Sequence, residues 1–167
     1  MDLMIRAMKP EDWNAVEAIY QEGIDTKTAT FQKETPTYEA WDKSHVKNCR
    51  FVAQRNGIVV GWAALSPYSS RCVYSGVAEV SIYIKADCRG QKVGERLMQE
   101  LIRASEEEGF WTLQSGIFEI NKASQALHKK MGFRMIGYRE RIAQDHDGIW
   151  QNTVIMERRS TIVGLLI

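Results

Sequence analysis

At 167 residues, 44% apolar and 26% charged, the chain has room for one domain with a substantial core and the composition of an ordinary globular protein. Its formal charge is +1, with 22 Lys and Arg interspersed among 21 acids, so the basic stripe of a nucleic-acid binder is missing. No apolar run approaches a bilayer span, the start Met1 to Arg6 has no signal-like segment, and Cys49, Cys72 and Cys88 are odd in number without metal-ligand spacing. A cytoplasmic protein is expected, without disulfide, metal, membrane or nucleic-acid partner.

Leu3 to Ala7 reads as a first strand, and Pro10 opens a helix whose Trp13, Val16, Ile19 and Tyr20 share a face. The polar stretch from Thr26 to Glu34 is a loop interrupted by Phe31, and Thr35-Pro36 starts a short helix carrying Tyr38 and Trp41. Two strands, Phe51 to Arg55 and Ile58 to Leu65, flank the hairpin signal Asn56-Gly57. A second loop, Pro67 to Gly76, precedes a strand over Val77 to Ile84. A helix from Val93 shows Leu97, Leu101 and Ala104 at helical spacing and closes at Gly109. Thr112 to Phe118 is strand-like, Ala123, Leu127 and Met131 mark a helix ending at Gly132, and Arg134 to Ile142 with Ile149 to Glu157 make a closing hairpin. The order β-α-α-β-β-β-α-β-α-β-β implies an α/β protein with a mixed sheet and helices on both faces.

The most informative junction is the apolar strand ending at Ile84, the turn Arg89-Gly90-Gln91-Lys92-Val93-Gly94 and the amphipathic helix after it. Such a turn leaves backbone N–H groups converging at the positive end of a helix dipole, which is a socket for phosphate. It fits neither the GxxxxGK[ST] loop nor the GxGxxG fingerprint, so the expected nucleotide is of another kind. Further text with a fixed order runs through Thr28 to Phe31, Ala78 to Tyr83, Asn121 to Ser124, Leu127 to Phe133 and Gly148 to Trp150.

On these residues the chain resembles the GNAT N-acetyltransferases, and within them the phosphinothricin and methionine sulfoximine acetyltransferase branch, over roughly residues 3 to 158. The signature R/Q-x-x-G-x-G/A aligns with Arg89 to Gly94, with Lys92 where the middle Gly is usual. The resemblance implies a mostly antiparallel sheet of six to seven strands with splayed central strands, acetyl-CoA as cosubstrate, no metal, and a homodimer. It implies coenzyme contacts from Ile82, Tyr83, Ile84, Arg89, Gly90, Gln91, Lys92, Val93, Gly94, Glu95, Asn121 and Lys130. Lys92 is expected to keep a negative φ, so that its ammonium adds a phosphate contact.

Amine acetylation needs a base, an oxyanion donor and a means of protonating sulfur. Glu79, a partly buried carboxylate at a strand start, is the expected base, and a solvated glutamate is its alternative reading. His128 stands where many of these enzymes carry Tyr. A catalytic acid and an ordinary hydrogen-bonded histidine are equally open for it. Cys88 is expected to be structural. Phe31, Arg71, Tyr74, Glu79, Val80 and Ser81 are expected around the acceptor, with the Arg71 fork on a substrate carboxylate. Asn152 departs from the Asp that the branch commonly places after Gly-x-Trp.

Three readings stand: an acetyltransferase for a small amino acid or its analogue, one for a protein or another amine, and an acyl-CoA-binding module without catalysis. Residues 1 to 159 are expected as one domain, with the apolar tail Ser160 to Ile167 packing on that domain or on a second subunit.

Overall fold

The computed structural model describes residues 2–165. Seven strands, β1 (Leu3–Ala7), β2 (Arg50–Arg55), β3 (Ile58–Pro67), β4 (Val77–Ile84), β5 (Thr112–Phe118), β6 (Arg134–Gln144) and β7 (Trp150–Arg159), make one sheet in the order β1-β2-β3-β4-β5-β7-β6. Neighbours are antiparallel except β4 and β5, which run parallel. The helices are α1 (Trp13–Asp25), α2 (Tyr38–Ser44), α3 (Val93–Glu107) and α4 (Lys122–Lys130). This is the expected element order, and the Asn56-Gly57 hairpin has φ of 52° and 77°, the left-handed pair that a two-residue turn requires.

Two starts differ from expectation. Pro10–Asp12 is a 3-10 turn ahead of α1, fastened where Asp12 accepts two hydrogen bonds from the Arg6 guanidinium at 2.8 Å. α2 begins at Tyr38 because the Thr37 hydroxyl, not Thr35, caps it by accepting the Ala40 N–H.

Side-chain alternation gives the sheet two apolar faces. One packs Phe51, Ala63, Leu65, Leu113 and Met156 against Leu97 and Leu101 of α3. The other packs Val52, Trp62 and Ala64 against Val16 and Ile19 of α1 and Trp41 of α2. Leu97, Leu101 and Val16 are fully buried, each contributing about 1.5–3 kcal/mol by the transfer scale. Gly23 of α1 is required by close approach: a Cβ there would lie 2.5 Å from the Tyr83 ring.

The parallel pairing of β4 with β5 is short, joining only Val77–Glu79 to Thr112–Gln114. Beyond Glu79, β4 follows β3 alone as far as Ile84. The bonds Tyr68 N–H to Val77 O and Lys85 N–H to Val60 O set the antiparallel alternation, so odd-numbered β4 residues bond to β3. The backbone groups of Ile82 and Ile84, and the Val80 carbonyl, therefore point into the gap that β5 vacates, while the Val80 N–H closes the last parallel bridge at Gln114.

β6 is the sheet edge and carries a wide bulge. Register passes from Arg139↔Thr153 to Ala143↔Gln151, leaving three residues of β6 opposite Asn152. Arg141 sits there at φ 46°, and its N–H donates to Asn152 Oδ1 at 2.7 Å. The tail turns back on its own domain, since Arg159 donates to the carbonyls of Trp111, Val163 and Gly164 at 2.8–3.2 Å. The expectation for Leu166 and Ile167 lies outside the described residues. Among the described residues no helix is long and apolar enough to cross a membrane.

Candidate active site

Two cavities open where β4 and β5 part. One, of about 720 Å³, lies between the end of β4, the α3 N-terminus and α4. The other, of about 530 Å³, lies under the 26–34 loop and against β5, β6 and β7. Ala29, Ile82, Tyr83, Asn121 and Ser124 line both, so the cavities meet at the strand gap.

The larger cavity has apolar walls at Ile82, Ile84, Val93 and Leu127 and a cationic mouth at Arg89, Lys92 and Lys130. The first N–H groups of α3 have no partner within the helix and carry the positive end of its dipole. Gly90 turns at φ 75° and Gly94 approaches α4 so closely that a Cβ would meet Leu127 at 3.0 Å. Lys130 is paired with Glu95 at 2.6 Å, whereas Arg89 and Lys92 have no side-chain partner among the described residues. An apolar channel ending in unpaired cations and helix amides fits a ligand with an apolar arm and a phosphorylated end.

Lys92 corrects one expectation: its φ is +66°, not negative. It caps α3 in the left-handed conformation that the strand-to-helix reversal demands, at a cost of order 1 kcal/mol for a residue with a Cβ. The Gln91 side chain lines neither cavity and instead bonds Arg55 and the Asp87 carbonyl, so the expected coenzyme contact there falls to its backbone amide. Asn121 does cap α4, accepting the Ser124 N–H at 3.2 Å, and also lines both cavities. The thiol of Cys88 is pushed up by burial and by Asp87, which keeps it protonated and suits a structural role.

In the smaller cavity Phe31, Glu79, Val80 and Ser81 are brought together as expected. Phe31 is held by Phe118, ring centroids 4.4 Å apart. Glu79 is exposed rather than partly buried, because the neighbouring strands diverge at that residue, and its one side-chain partner among the described residues is the Gln114 amide, which donates to it over a long 3.5 Å. Arg71 and Tyr74 line neither cavity. They stand on the surface of the β3–β4 loop, the guanidinium 5.6 Å from the Tyr74 ring centroid. Sequence reasoning missed Arg139, Gln114 and Ser115, which do line this smaller cavity. Only the register of β5 against β7 and β7 against β6 brings them there.

His128 is 2% exposed, and both ring nitrogens are engaged. Nδ1–H donates to the Ser124 carbonyl at 2.7 Å, which leaves Nε2 to accept the Ser115 hydroxyl at 2.8 Å. The Ser115 hydroxyl and the imidazole itself both line the smaller cavity, so a proton can pass from one to the other there.

The comparisons with known proteins follow this geometry. The model of the Acetyltransferase (GNAT) family matches residues 16–133. The phosphinothricin N-acetyltransferase of Alcaligenes faecalis is 30% identical, across 92% of this chain and 81% of that one. The L-methionine sulfoximine/L-methionine sulfone acetyltransferase of Pseudomonas paraeruginosa is 27% identical, across 94% of each. A phosphinothricin acetyltransferase from Sinorhizobium meliloti, solved in complex with AcCoA, superposes with a TM-score of 0.90 at 26% identity, covering 100% of this chain and 93% of that one. The chain belongs to the acetyltransferase (GNAT) family and is an acetyl-CoA-dependent N-acetyltransferase.

Burial draws the His128 imidazole below the ordinary histidine range, and His45 moves the same way for the same reason. Below about pH 6.5 the unfolded chain therefore binds more protons than the folded one, so stability falls as pH falls through that window. The wild-type melting midpoint is expected to drop between about pH 7.5 and 5.5, and the drop to be smaller in His128→Gln. Equal slopes in thermal scans of the two proteins would contradict a buried neutral His128.

Proposed function

We propose that the protein moves an acetyl group from acetyl-CoA to the amine of a small amino acid or analogue of the phosphinothricin, methionine sulfoximine or methionine sulfone type. The observation that carries this reading is the meeting of two cavities at the strand gap, one suited to a phosphorylated thioester and the other holding a carboxylate beside apolar walls. The names of the relatives point to the same substrate class. The cleft residues hold the donor as the resemblance implies: amides and cations from Arg89 to Glu95 on pyrophosphate, backbone groups of Ile82 and Ile84 along the arm. Bound there, the coenzyme supplies a thioester carbonyl.

Glu79 takes the proton from the acceptor ammonium, directly or through water, because it is the one carboxylate among the residues lining the acceptor cavity. The Ile82 and Ile84 amides, which face the gap, orient the carbonyl. His128, bonded to the Ser115 hydroxyl, is placed to exchange a proton with this cavity. Thiol release from acetyl-CoA with a panel of amines tests both reading and role. Methionine sulfone, methionine sulfoximine or phosphinothricin should be acetylated well ahead of peptides and polyamines, and Glu79→Gln should lower kcat by roughly 10²–10⁴-fold with coenzyme affinity intact. Peptide preference, or full turnover in Glu79→Gln, would overturn them.

We further infer a cytoplasmic homodimer. Its free cysteines Cys49, Cys72 and Cys88 suit a reducing compartment. The better-supported dimer face is the β6 edge and the start of β7 rather than the tail. Met135, Ile136, Tyr138, Ile142, Ile149 and Trp150 are each 44–57% exposed there, on an unpaired edge strand. Light scattering should report a dimer, converted to monomer by Ile136→Lys with Tyr138→Glu. A wild-type monomer would contradict this.

A further inference from the structure

The turn that leads from β4 into α3 contains two left-handed residues, Gly90 at φ 75° and Lys92 at φ 66°, and only the first lacks a Cβ. Among the described residues, the N–H groups of Arg89, Gly90, Gln91 and Lys92 donate no hydrogen bond to the protein. They are free for an anion, and for the same reason they do nothing to hold the turn in shape. A relaxation of Lys92 toward negative φ would swing the amides on either side of it out of line.

Side chains from two other elements supply the restraint. Glu22 of α1 accepts the Ala86 N–H at 2.9 Å, which fixes the start of the connection. At its far end Arg55, the last residue of β2, donates from its guanidinium to Gln91 Oε1 at 2.5 Å, and Gln91 Nε2 donates to the Asp87 carbonyl at 3.1 Å. The residue before Lys92 is thereby tied both to the sheet and to the beginning of its own turn. Arg55 lines neither cavity, so it acts on a ligand only through that turn. Its Nε–H is buried without an acceptor among the described residues, an orphan donor that an apolar side chain of similar length would avoid, so packing alone does not account for an arginine here.

We propose that Arg55 is a positioning residue for the donor, holding the phosphate turn through the Gln91 side chain so that its unpaired amides converge on the coenzyme while Lys92 stays left-handed. The inference rests on the reading of residues 89 to 94 as the pyrophosphate site and adds the side chains outside the cleft that set its shape. A cation behind the turn would also attract phosphate by its charge. Gln91 separates the two effects, because a neutral amide transmits position and not charge.

The test is the affinity of coenzyme A, measured by calorimetry on wild type, Arg55→Ala, Gln91→Ala, the double variant and Lys92→Met, with the melting midpoint of each free protein beside it. Arg55→Ala and Gln91→Ala should each weaken coenzyme A by roughly 3- to 10-fold, and the double variant should be no weaker than the worse of the two, because both remove one tether. In steady-state thiol release Arg55→Ala should raise KM for acetyl-CoA with little change in kcat. Wild-type affinity in Arg55→Ala overturns the proposal. So does a loss that Gln91→Ala fails to share, or losses that multiply in the double variant, since the guanidinium would then act by charge. Should Arg55→Ala melt early, Gln91→Ala decides alone, because its side chain is exposed and its loss leaves the core intact. Lys92→Met reports on the phosphate reading itself: weakened coenzyme A with Arg55→Ala unaffected removes only the tether, and unchanged affinity in both removes the phosphate reading with it.

Discussion

The structure depends on one interruption of hydrogen bonding: β4 and β5 pair over three residues and then separate. A parallel pair would ordinarily continue as far as both strands run, satisfying every backbone group. Here the amides and carbonyls of Ile82 and Ile84, with the carbonyl of Val80, are left without a strand partner. The cost of opening the sheet is met on both sides of the gap. β3 pairs with β4 along its full length, and β7 pairs with all of β5. The cores on the two faces hold the rest, with α3 wedged under one and α1 over the other.

The gap also explains how one molecule sorts two chemistries. Alternation sends Ile82 and Ile84 to the α3 face, where the apolar channel ends at unpaired cations, and Glu79, Ser81 and Tyr83 to the α1 face, where the acceptor cavity lies. Tyr83 lines both cavities and is fixed by stacking on Trp62, 5.1 Å between centroids, and by the bare Gly23 backbone. Ser115 and His128 belong to the α3 side and reach the acceptor cavity only because the sheet is open there.

Much of this was legible in the sequence, for physical reasons. The strand and helix spans follow from period-2 and helical apolar spacing, and Thr112–Phe118 agrees at both ends. The anion socket follows from Gly90 before an amphipathic helix. Other features depend on tertiary register, which local spacing does not encode. The bulge at Glu140 to Ile142 has no Gly or Pro to announce it, so Arg139 read as one more exposed strand residue. Arg71 was expected at the acceptor because the resemblance places its loop over that pocket, and in this chain it lines neither cavity. Lys92 was expected at negative φ because a side chain ordinarily avoids the left-handed region, but the reversal into α3 outweighs that preference of order 1 kcal/mol.

The central claim is that donor and acceptor sites are one continuous space through the strand gap. It is tested most directly with a conjugate in which the coenzyme A sulfur is joined through a –CH₂–C(=O)– link to the amine of methionine sulfone, its affinity measured by calorimetry beside coenzyme A and methionine sulfone alone. The account predicts binding at least about 10²-fold tighter than coenzyme A, because the second half is held at high effective concentration in a site already open to it. A conjugate that binds no better than coenzyme A would show that the two cavities are not joined and would contradict the account.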